Sequence, residues 1–168
     1  MTIREATDAD VPAIATLAEH FLATPYARTY LGASRAGLEL FTTYLLEQPL
    51  CTVIVAQLEE TCELVGFIAL LGGGSPLDEA HAVCEELAWW VEPDARGAGR
   101  VGARLLDAAE AWARAHGLKW LKMVAPHQSR VGRFYERRGY VPVETAYSKG
   151  LVDGSRTRPS PDVRGRER

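Results

Sequence analysis

The sequence predicts a mixed α/β fold in which a mostly antiparallel sheet is flanked by helices on both faces. Three observations predict it. Apolar residues recur at helical spacing in four segments of the 168-residue chain. Short β-rich runs, two of them separated by only a tight turn, indicate antiparallel strand pairing. One strand–glycine loop–helix–strand stretch indicates a single parallel crossover, and a sheet of both kinds needs helices on its two faces.

The first half of the chain supplies two helices and most of the strands. Helix-capping residues, a change from helical to strand periodicity, and glycine or proline at the boundaries mark each element. In order, the predicted elements are a strand over Thr2–Ala6, a helix capped by Thr7 or Asp8 and ended by Thr24–Pro25, a helix over Ala33–Glu47, strands over Thr52–Leu58 and Glu63–Leu71, a flexible loop over Gly72–Pro76, and a strand over His81–Val91.

The second half begins with the amphipathic helix of the crossover. Its elements are a helix from about Val101 that Gly117 closes, a strand over Trp120–Ala125, a helix over Arg130–Arg138 that Gly139 ends, and one or two closing strands in Tyr140–Lys149. The sheet should therefore have about seven strands. From Gly150 onward the chain is rich in Gly, Pro, Ser and Arg. We expect one domain over residues 1–149 and a disordered tail over residues 150–168.

Composition narrows the classes of partner. A net charge of −3 argues against nucleic acid. The three cysteines are widely spaced and include no CxxC pair, so we expect neither a metal site nor a disulfide framework. No apolar run reaches membrane-spanning length, and the charged first ten residues do not have the pattern of a signal peptide. We therefore expect a cytoplasmic protein with no membrane partner.

The stretch from Glu85 to Leu106 predicts an anion site. A strand ends at Trp89-Trp90-Val91, a glycine loop follows, and a helix begins at once behind it. Helix N-termini carry unpaired N–H groups and partial positive charge, and glycines let a phosphate approach the backbone. A nucleotide P-loop is excluded because the chain has no Gly-Lys-Ser/Thr. The literal G-x-G-x-x-G of residues 97–102 lacks the acidic residue that dinucleotide binding needs about 20 positions later.

Two motifs in the sequence are similar to those of the GCN5-related N-acetyltransferase (GNAT) superfamily. The first is Val91-x-Pro93-x-x-Arg96-Gly97-x-Gly99, and the second is Phe134-Tyr135-Glu136-Arg137-Arg138-Gly139-Tyr140. The resemblance covers about residues 2–149, and the element order also matches. It departs from the family pattern in an extra loop residue before Leu105, in Gln128 where Asn is frequent, and in Val131 where alanine is common. The resemblance implies the GNAT acyltransferase fold.

The resemblance also implies acetyl-CoA as the acyl donor. Its pyrophosphate would be held by the loop after the strand. The residues assigned to cofactor binding on this basis are Val91, Arg96, Gly97, Ala98, Gly99, Arg100, Val101, Gly102 and Gln128. The extra residue leaves open which of these amides meet the phosphates.

Acyl transfer to an amine requires a base, a hydrogen-bond donor to the carbonyl oxygen and an acid for the leaving thiolate. Family position implies Tyr135 as the acid, Glu86 as the base through a water, and the Val91 N–H as the oxyanion donor. Glu85 and His127 are rival bases, and His81 is a weaker one. On a regular strand Glu86, Ala88 and Trp90 share one face, and Glu85, Leu87 and Trp89 the other.

Together these features predict an N-acetyltransferase that transfers an acetyl group to a primary amine by direct attack in a ternary complex. The acceptor would be a small molecule or a peptide, no metal is expected, and homodimers are common in the resembled superfamily. Two alternatives stay open from the sequence. They are a non-catalytic acyl-CoA-binding or regulatory module on the same fold, and a dinucleotide-binding oxidoreductase.

Overall fold

The structure is a computed structural model that describes residues 1–28, 31–75, 78–97, 100–126 and 129–149. The chain divides into two compact units, Met1–His127 and Gln128–Arg168. The expected tail over residues 150–168 lies outside the described residues.

The first unit is built on a mixed sheet whose strands follow one another in chain order. The strands are β1 (Thr2–Glu5), β2 (Cys51–Gln57), β3 (Leu64–Ser75), β4 (Asp78–Val91) and β5 (Trp120–Lys122). The first four pair antiparallel with their neighbours, and β5 pairs parallel with β4. The parallel pair needs a crossover, and α4 (Val101–Ala115) provides it. The predicted mixed, mostly antiparallel sheet is therefore confirmed.

Helices cover both faces of this sheet, as predicted. Apolar side chains of α4, among them Leu105, Ala109 and Trp112, pack against Ile54, Ile68, Leu70 and Cys84 on one face. The helices α1 (Val11–Leu22) and α3 (Arg35–Glu47) pack Ile14, Leu17 and Leu45 against Val53, Val55 and Phe67 on the other. A short helix, α2 (Pro25–Arg28), follows α1. Each fully buried leucine or isoleucine contributes about 2 kcal/mol through loss of water-exposed apolar surface.

A partly buried ion pair joins β1 to the start of α1. The Arg4 guanidinium donates to both oxygens of Asp10, at 2.7 and 2.8 Å. Thr7 donates to the same carboxylate through its backbone N–H and its hydroxyl. These charge-assisted bonds, led by that from Arg4, hold the pKa of Asp10 at about 2 although burial opposes that shift. Thr7 therefore caps the 3-10 turn Asp8–Asp10 that precedes α1, whereas the N-cap of α1 itself is Asp10 rather than the predicted Thr7 or Asp8.

Residues 72–74 are part of a strand, so the prediction of a flexible loop there was wrong. Strand β3 runs through Gly72, Gly73 and Gly74 to Ser75. The Gly72 N–H donates to the Leu50 carbonyl at 2.6 Å, and a Cβ at this position would lie 2.8 Å from that oxygen. The glycine is therefore present because two backbones approach closely, which is a recognised use of glycine inside strands.

The second unit is described from Ser129 to Lys149 and contains α5 (Val131–Arg137). Gly139 follows the helix with φ +86°, as the predicted helix end requires. No strand forms over residues 140–149, so the predicted closing strands are absent there and the described sheet has five strands instead of about seven. Val141, Val143 and Tyr147 are largely exposed. Alternating apolar residues indicate an extended segment, but a strand also needs a hydrogen-bonded neighbour.

Candidate active site

The sheet opens between β4 and β5. Their parallel pairing covers Val83, Cys84 and Glu85 on β4 and stops at the Glu85–Lys122 pair, while β4 continues to Val91. Beyond Glu85, no described strand pairs with this edge of β4. Along the last residues of β4, the backbone groups on this edge therefore have no described strand partner.

A β-bulge lies in β4 where the opening begins. Leu70 pairs with Glu86 and Ala69 pairs with Ala88, so Leu87 has no residue opposite it. Leu70 packs under α4, whereas Ala69 and Ala88 pack under α1 and α3. Residues directly opposite each other lie on the same face of a sheet, so Glu86 lies on the α4 face and Ala88 on the other.

Because of this bulge, the alternation of side chains expected from the sequence was wrong. Glu86 does not share a face with Ala88 and Trp90, and Leu87 does not share one with Trp89. Trp89 packs with the α4 cluster, while Trp90 belongs to the α1 and α3 cluster. The extra residue reverses the alternation, which changes the face that each later side chain occupies.

The Glu86 carboxylate bridges β4 to the chain after β5. Its Oε2 accepts a hydrogen bond from the Val124 N–H at 2.9 Å, where a regular parallel ladder would use a main-chain acceptor. Burial raises the pKa of Glu86 to about 7, although the bond from Val124 opposes the rise. Near neutral pH, a carboxyl group with this pKa is partly ionised, so it can accept a proton. It is also more basic than an ordinary carboxylate, which suits it to act as a general base.

The rival bases lie in different surroundings. Glu85 is exposed and forms an ion pair with Lys122 at 3.5 Å, on the strand pair itself. His127 lies outside the described residues, and only the backbone of His81, in β4, is described. Of the two adjacent glutamates, Glu86 is the half-buried one with the shifted pKa.

The Val91 N–H points toward the open edge of β4. The next amide, that of Glu92, donates to the Val65 carbonyl on β3 at 2.8 Å. Backbone groups alternate in direction along a strand, so the Val91 N–H and C=O face away from β3. The Val91 carbonyl indeed accepts a hydrogen bond from Arg96 Nε at 2.8 Å. The amide is therefore oriented as an oxyanion donor would have to be.

The loop after β4 is anchored by Arg96. Besides its bond to Val91, its guanidinium lies 4.5 Å from the centre of the Trp90 ring, a cation–π contact. Gly97 has φ +85°, and an added Cβ would meet nothing within 4 Å. Arg100 has φ +56° and caps α4 in the left-handed conformation. Ala98 and Gly99 lie outside the described residues.

Val101 and Gly102 belong to the first turn of α4 rather than to the loop. The side chain of Val101 is buried in the core. An added Cβ on Gly102 would lie 3.1 Å from the Trp89 ring, so the glycine lets the helix approach β4 closely. The first N–H groups of any helix have no partner within the helix, which makes this turn a suitable anion site.

Tyr135 lies in α5 of the second unit. It is the buried residue of that helix, and its ring lies 5.9 Å from that of Phe134 and 5.5 Å from that of Tyr140. Gln128 lies outside the described residues.

Cys84, the cysteine of β4, is fully buried on the α4 face. Burial raises the pKa of its thiol to about 12, so the reactive thiolate is scarce at neutral pH.

Two features of this region were not predicted from the sequence. The bulge at Leu87 leaves no signal, because the run from Glu85 to Val91 reads as a regular strand. The Val124 N–H is a backbone group, and its contact with Glu86 depends on where β5 stops.

In the part of the chain that the structure describes, no helix is both long and apolar enough to cross a bilayer.

Comparisons with known proteins identify the family. The sequence profile of the Acetyltransferase (GNAT) family matches residues 15–140. The uncharacterized N-acetyltransferase YhfO of Bacillus subtilis (strain 168) is 34% identical over 143 residues, which are 83% of this chain and 89% of that protein. Two solved structures share the fold. The transcriptional regulator from Bacillus halodurans C-125 has a TM-score of 0.74 at 19% identity, over 89% of this chain and 99% of its own. The ribosomal-protein-alanine N-acetyltransferase from Brucella melitensis biovar Abortus 2308 has a TM-score of 0.65 at 20% identity, over 90% of this chain and all of its own. The chain belongs to the GNAT family of acetyltransferases.

Proposed function

We propose that the protein is an acetyl-CoA-dependent N-acetyltransferase that acetylates a primary amine by direct attack in a ternary complex. The observation that carries this proposal is the Glu86 carboxyl group. It combines a pKa of about 7 with a position at the bulge where β4 and β5 part. A general base for an amine needs this intermediate basicity at the place where the reacting atoms meet.

The donor side is assigned to the loop and to the start of α4. Acetyl-CoA, when bound, supplies an acetyl thioester and a pyrophosphate group. Gly97 leaves open space where a side chain would be, and the first turn of α4 offers unpaired N–H groups. We assign pyrophosphate contacts to the backbone of residues 97–102 and, in the second unit, to Gln128. Arg96 is already bonded to Val91 and stacked on Trp90, so its proposed role is to hold the loop in place.

The chemistry divides among three groups of the chain. Glu86 accepts, through a water, one proton from the ammonium group of the acceptor, which leaves a nucleophilic amine. The amine nitrogen forms a bond to the thioester carbon, and the Val91 N–H donates to the carbonyl oxygen as negative charge develops there. Tyr135 donates a proton to sulfur as the carbon–sulfur bond breaks, a role proposed from its place in the second motif. The nitrogen then loses its second proton, which restores the Tyr135 phenol. The products are the acetamide, coenzyme A thiol and one proton.

A covalent acetyl-cysteine route is not proposed. It would require a thiolate at Cys84, and the pKa of about 12 keeps that side chain protonated. Direct attack requires no protein nucleophile. It also agrees with the placement of a base and an amide donor on the same strand.

The test is release of coenzyme A thiol from acetyl-CoA in the presence of a panel of primary amines. Wild-type protein should release thiol with at least one amine, and Tyr135→Phe should lower kcat about tenfold or more with a smaller effect on KM. Binding of acetyl-CoA without turnover of any amine, together with no effect of Tyr135→Phe, would instead indicate a non-catalytic acyl-CoA-binding module.

A further inference from the structure

A cavity of about 220 Å³ lies between α1, α3 and the sheet in the first unit. It is on the face opposite to α4 and includes the two residues that follow Glu86 on β4, Leu87 and Ala88. Its lining residues include Ala18, Leu31, Phe41, Thr42, Leu87 and Ala88.

The described walls of this cavity are apolar. No charged side chain contributes to them, and Thr42 supplies the single hydroxyl among them. That hydroxyl already donates to the Leu38 carbonyl at 2.8 Å, within its own helix. A polar or charged group placed here would lose its water without gaining a strong partner, which costs several kcal/mol. The cavity therefore favours a hydrocarbon group.

The cavity is open at one side. Leu31, Phe41 and Leu87 line it and keep 43%, 48% and 36% of their surface exposed. A closed packing defect would have buried walls, whereas an open apolar cavity with exposed rims is typical of a ligand site.

The bulge connects the cavity to the proposed base. Leu87 is the extra residue of β4, and both it and Ala88 line the cavity, although Glu86 lies on the α4 face. Since strand residues advance about 3.3 Å each, the cavity wall begins within about 3–7 Å of Glu86 along the strand. Beyond Glu85, β4 has no described strand partner on this edge, so no further described strand separates Glu86 from the cavity side of the sheet there. An amine at Glu86 would reach the cavity around this edge, past Leu87.

We infer that the acceptor is a primary amine whose substituent is a hydrocarbon group, up to about the size of one aromatic ring on a short alkyl chain. This inference rests on the proposed function. The size follows from the volume, because an apolar protein cavity of about 150 Å³ accepts benzene, and 220 Å³ leaves space for a short linker as well. The apolar walls, the exposed rim and the position beside Glu86 support the same class of acceptor.

The first test compares acetylation of 2-phenylethylamine, ethylamine and spermidine by the wild-type protein. Transfer of a ring into an apolar site should raise kcat/KM for 2-phenylethylamine about 10- to 100-fold above that for ethylamine. Spermidine, which carries further charges, should be the poorest substrate. Preference for spermidine would overturn the inference. If that turnover still depended on Glu86, the proposed function would stand.

The second test fills the cavity from α1. Ala18 lines it, so Ala18→Phe should lower kcat/KM for 2-phenylethylamine at least tenfold and leave that for ethylamine within about twofold. Ala18→Leu should give an intermediate loss, and thermal unfolding checks that both variants fold. Ala13→Phe is the matched control, because Ala13 is exposed on the same helix and does not line the cavity. Equal losses for both amines in Ala18→Leu would contradict the inference.

A binding measurement tests the cavity assignment separately from the proposed function. 2-Phenylethanol carries the same hydrocarbon group but no amine, and its binding to the wild-type protein and to Ala18→Phe can be followed by NMR. Binding that is lost in Ala18→Phe supports the cavity assignment even if no amine is turned over, in which case only the proposed function fails. Absence of binding to the wild-type protein would overturn the cavity assignment, whatever the activity.

Discussion

Replacing Glu86 by glutamine removes the proposed base and keeps nearly the same shape. The glutamine carbonyl oxygen can still accept the hydrogen bond that the Val124 N–H gives to Glu86 at 2.9 Å. A positioned general base contributes roughly 10²- to 10⁴-fold to the rate, so we expect kcat/KM of Glu86→Gln to fall by that factor. The measurement is initial-rate thiol release with a saturating concentration of acetyl-CoA.

The pH dependence of kcat/KM tests the assignment of Glu86 as the base more specifically. Because the Glu86 pKa is about 7, the ionised fraction of the wild-type base falls roughly tenfold for each pH unit below that value. Its kcat/KM should therefore rise with pH, bend near pH 7 and level off above it. The acidic limb should be absent in Glu86→Gln, because glutamine does not titrate.

Stability should respond in the direction that linkage requires. The folded-state pKa of Glu86, about 7, lies above its ordinary value of 4.5, so the folded protein binds the proton more tightly. Glu86 therefore makes the wild-type protein progressively less stable as pH rises from 4.5 to about 7. Glu86→Gln should be more stable than wild type at about pH 8, on the order of 3 kcal/mol, and should lose nearly all of that advantage near pH 4.5. Urea unfolding at both pH values measures the difference.

Glu85→Gln is the matched control. Glu85 is exposed and paired with Lys122, and exposed ion pairs contribute about 0–1 kcal/mol. This variant should retain the acidic limb near pH 7 and most of the activity. If Glu85→Gln abolished the limb while Glu86→Gln preserved it, the assignment of the base and its physical reason would both be refuted.

Substitutions at three further positions test other parts of the proposed fold and site. Val91→Pro removes the proposed oxyanion donor and should lower kcat about 10²- to 10³-fold, whereas Val91→Ala keeps the N–H and should lower it little; equal losses would rule out the amide. Asp10→Asn breaks the pair with Arg4 and should cost about 2 kcal/mol in urea unfolding at neutral pH. Since the pKa of Asp10 is lowered to about 2 from 3.8, this difference should shrink as pH falls below 3.8, and a constant difference would contradict the reasoning. Gly66→Ala would bring a Cβ within 2.9 Å of the Trp90 carbonyl and should cost about 1–3 kcal/mol by calorimetry, whereas a variant as stable as wild type would refute the close contact.

Elements whose signals are local were predictable from the sequence. The strand, loop and helix from β4 to α4 follow from residue types at fixed spacing. Gly117 and Gly139 have the positive φ that their positions after helices predict. These signals involve residues within about one turn of each other, so they do not depend on which strands pair.

Features that depend on distant pairing were not predictable. The bulge at Leu87 exists because Ala69 and Leu70 on β3 face Ala88 and Glu86 on β4. Nothing within β4 itself interrupts its alternation, so the expected common face of Glu86 and Ala88 was wrong. The cavity beside Leu87 likewise depends on how α1 and α3 pack on the sheet. The sequence shows which residues α1, α3 and the sheet present to each other, but it does not show how far apart these elements lie.

The Glu86 pKa also shows the difference between what local sequence predicts and what depends on the folded structure. Its position before the glycine loop made it a candidate base from the sequence, together with Glu85 and His127. The shift of its pKa to about 7 comes from burial, against the opposing hydrogen bond of a neighbour 38 positions along the chain, and burial depends on how the chain folds. The identity of the base is therefore a tertiary property, although the set of candidates is a sequence property.

The most direct measurement of the central claim is mass spectrometry of the protein and of the amine after incubation with acetyl-CoA. The account predicts one acetylated amine for each coenzyme A thiol released, and no acetyl group on the protein when the amine is omitted. Thiol release without acetylated amine, or an acetyl group that accumulates on the protein before the amine is added, would contradict direct transfer.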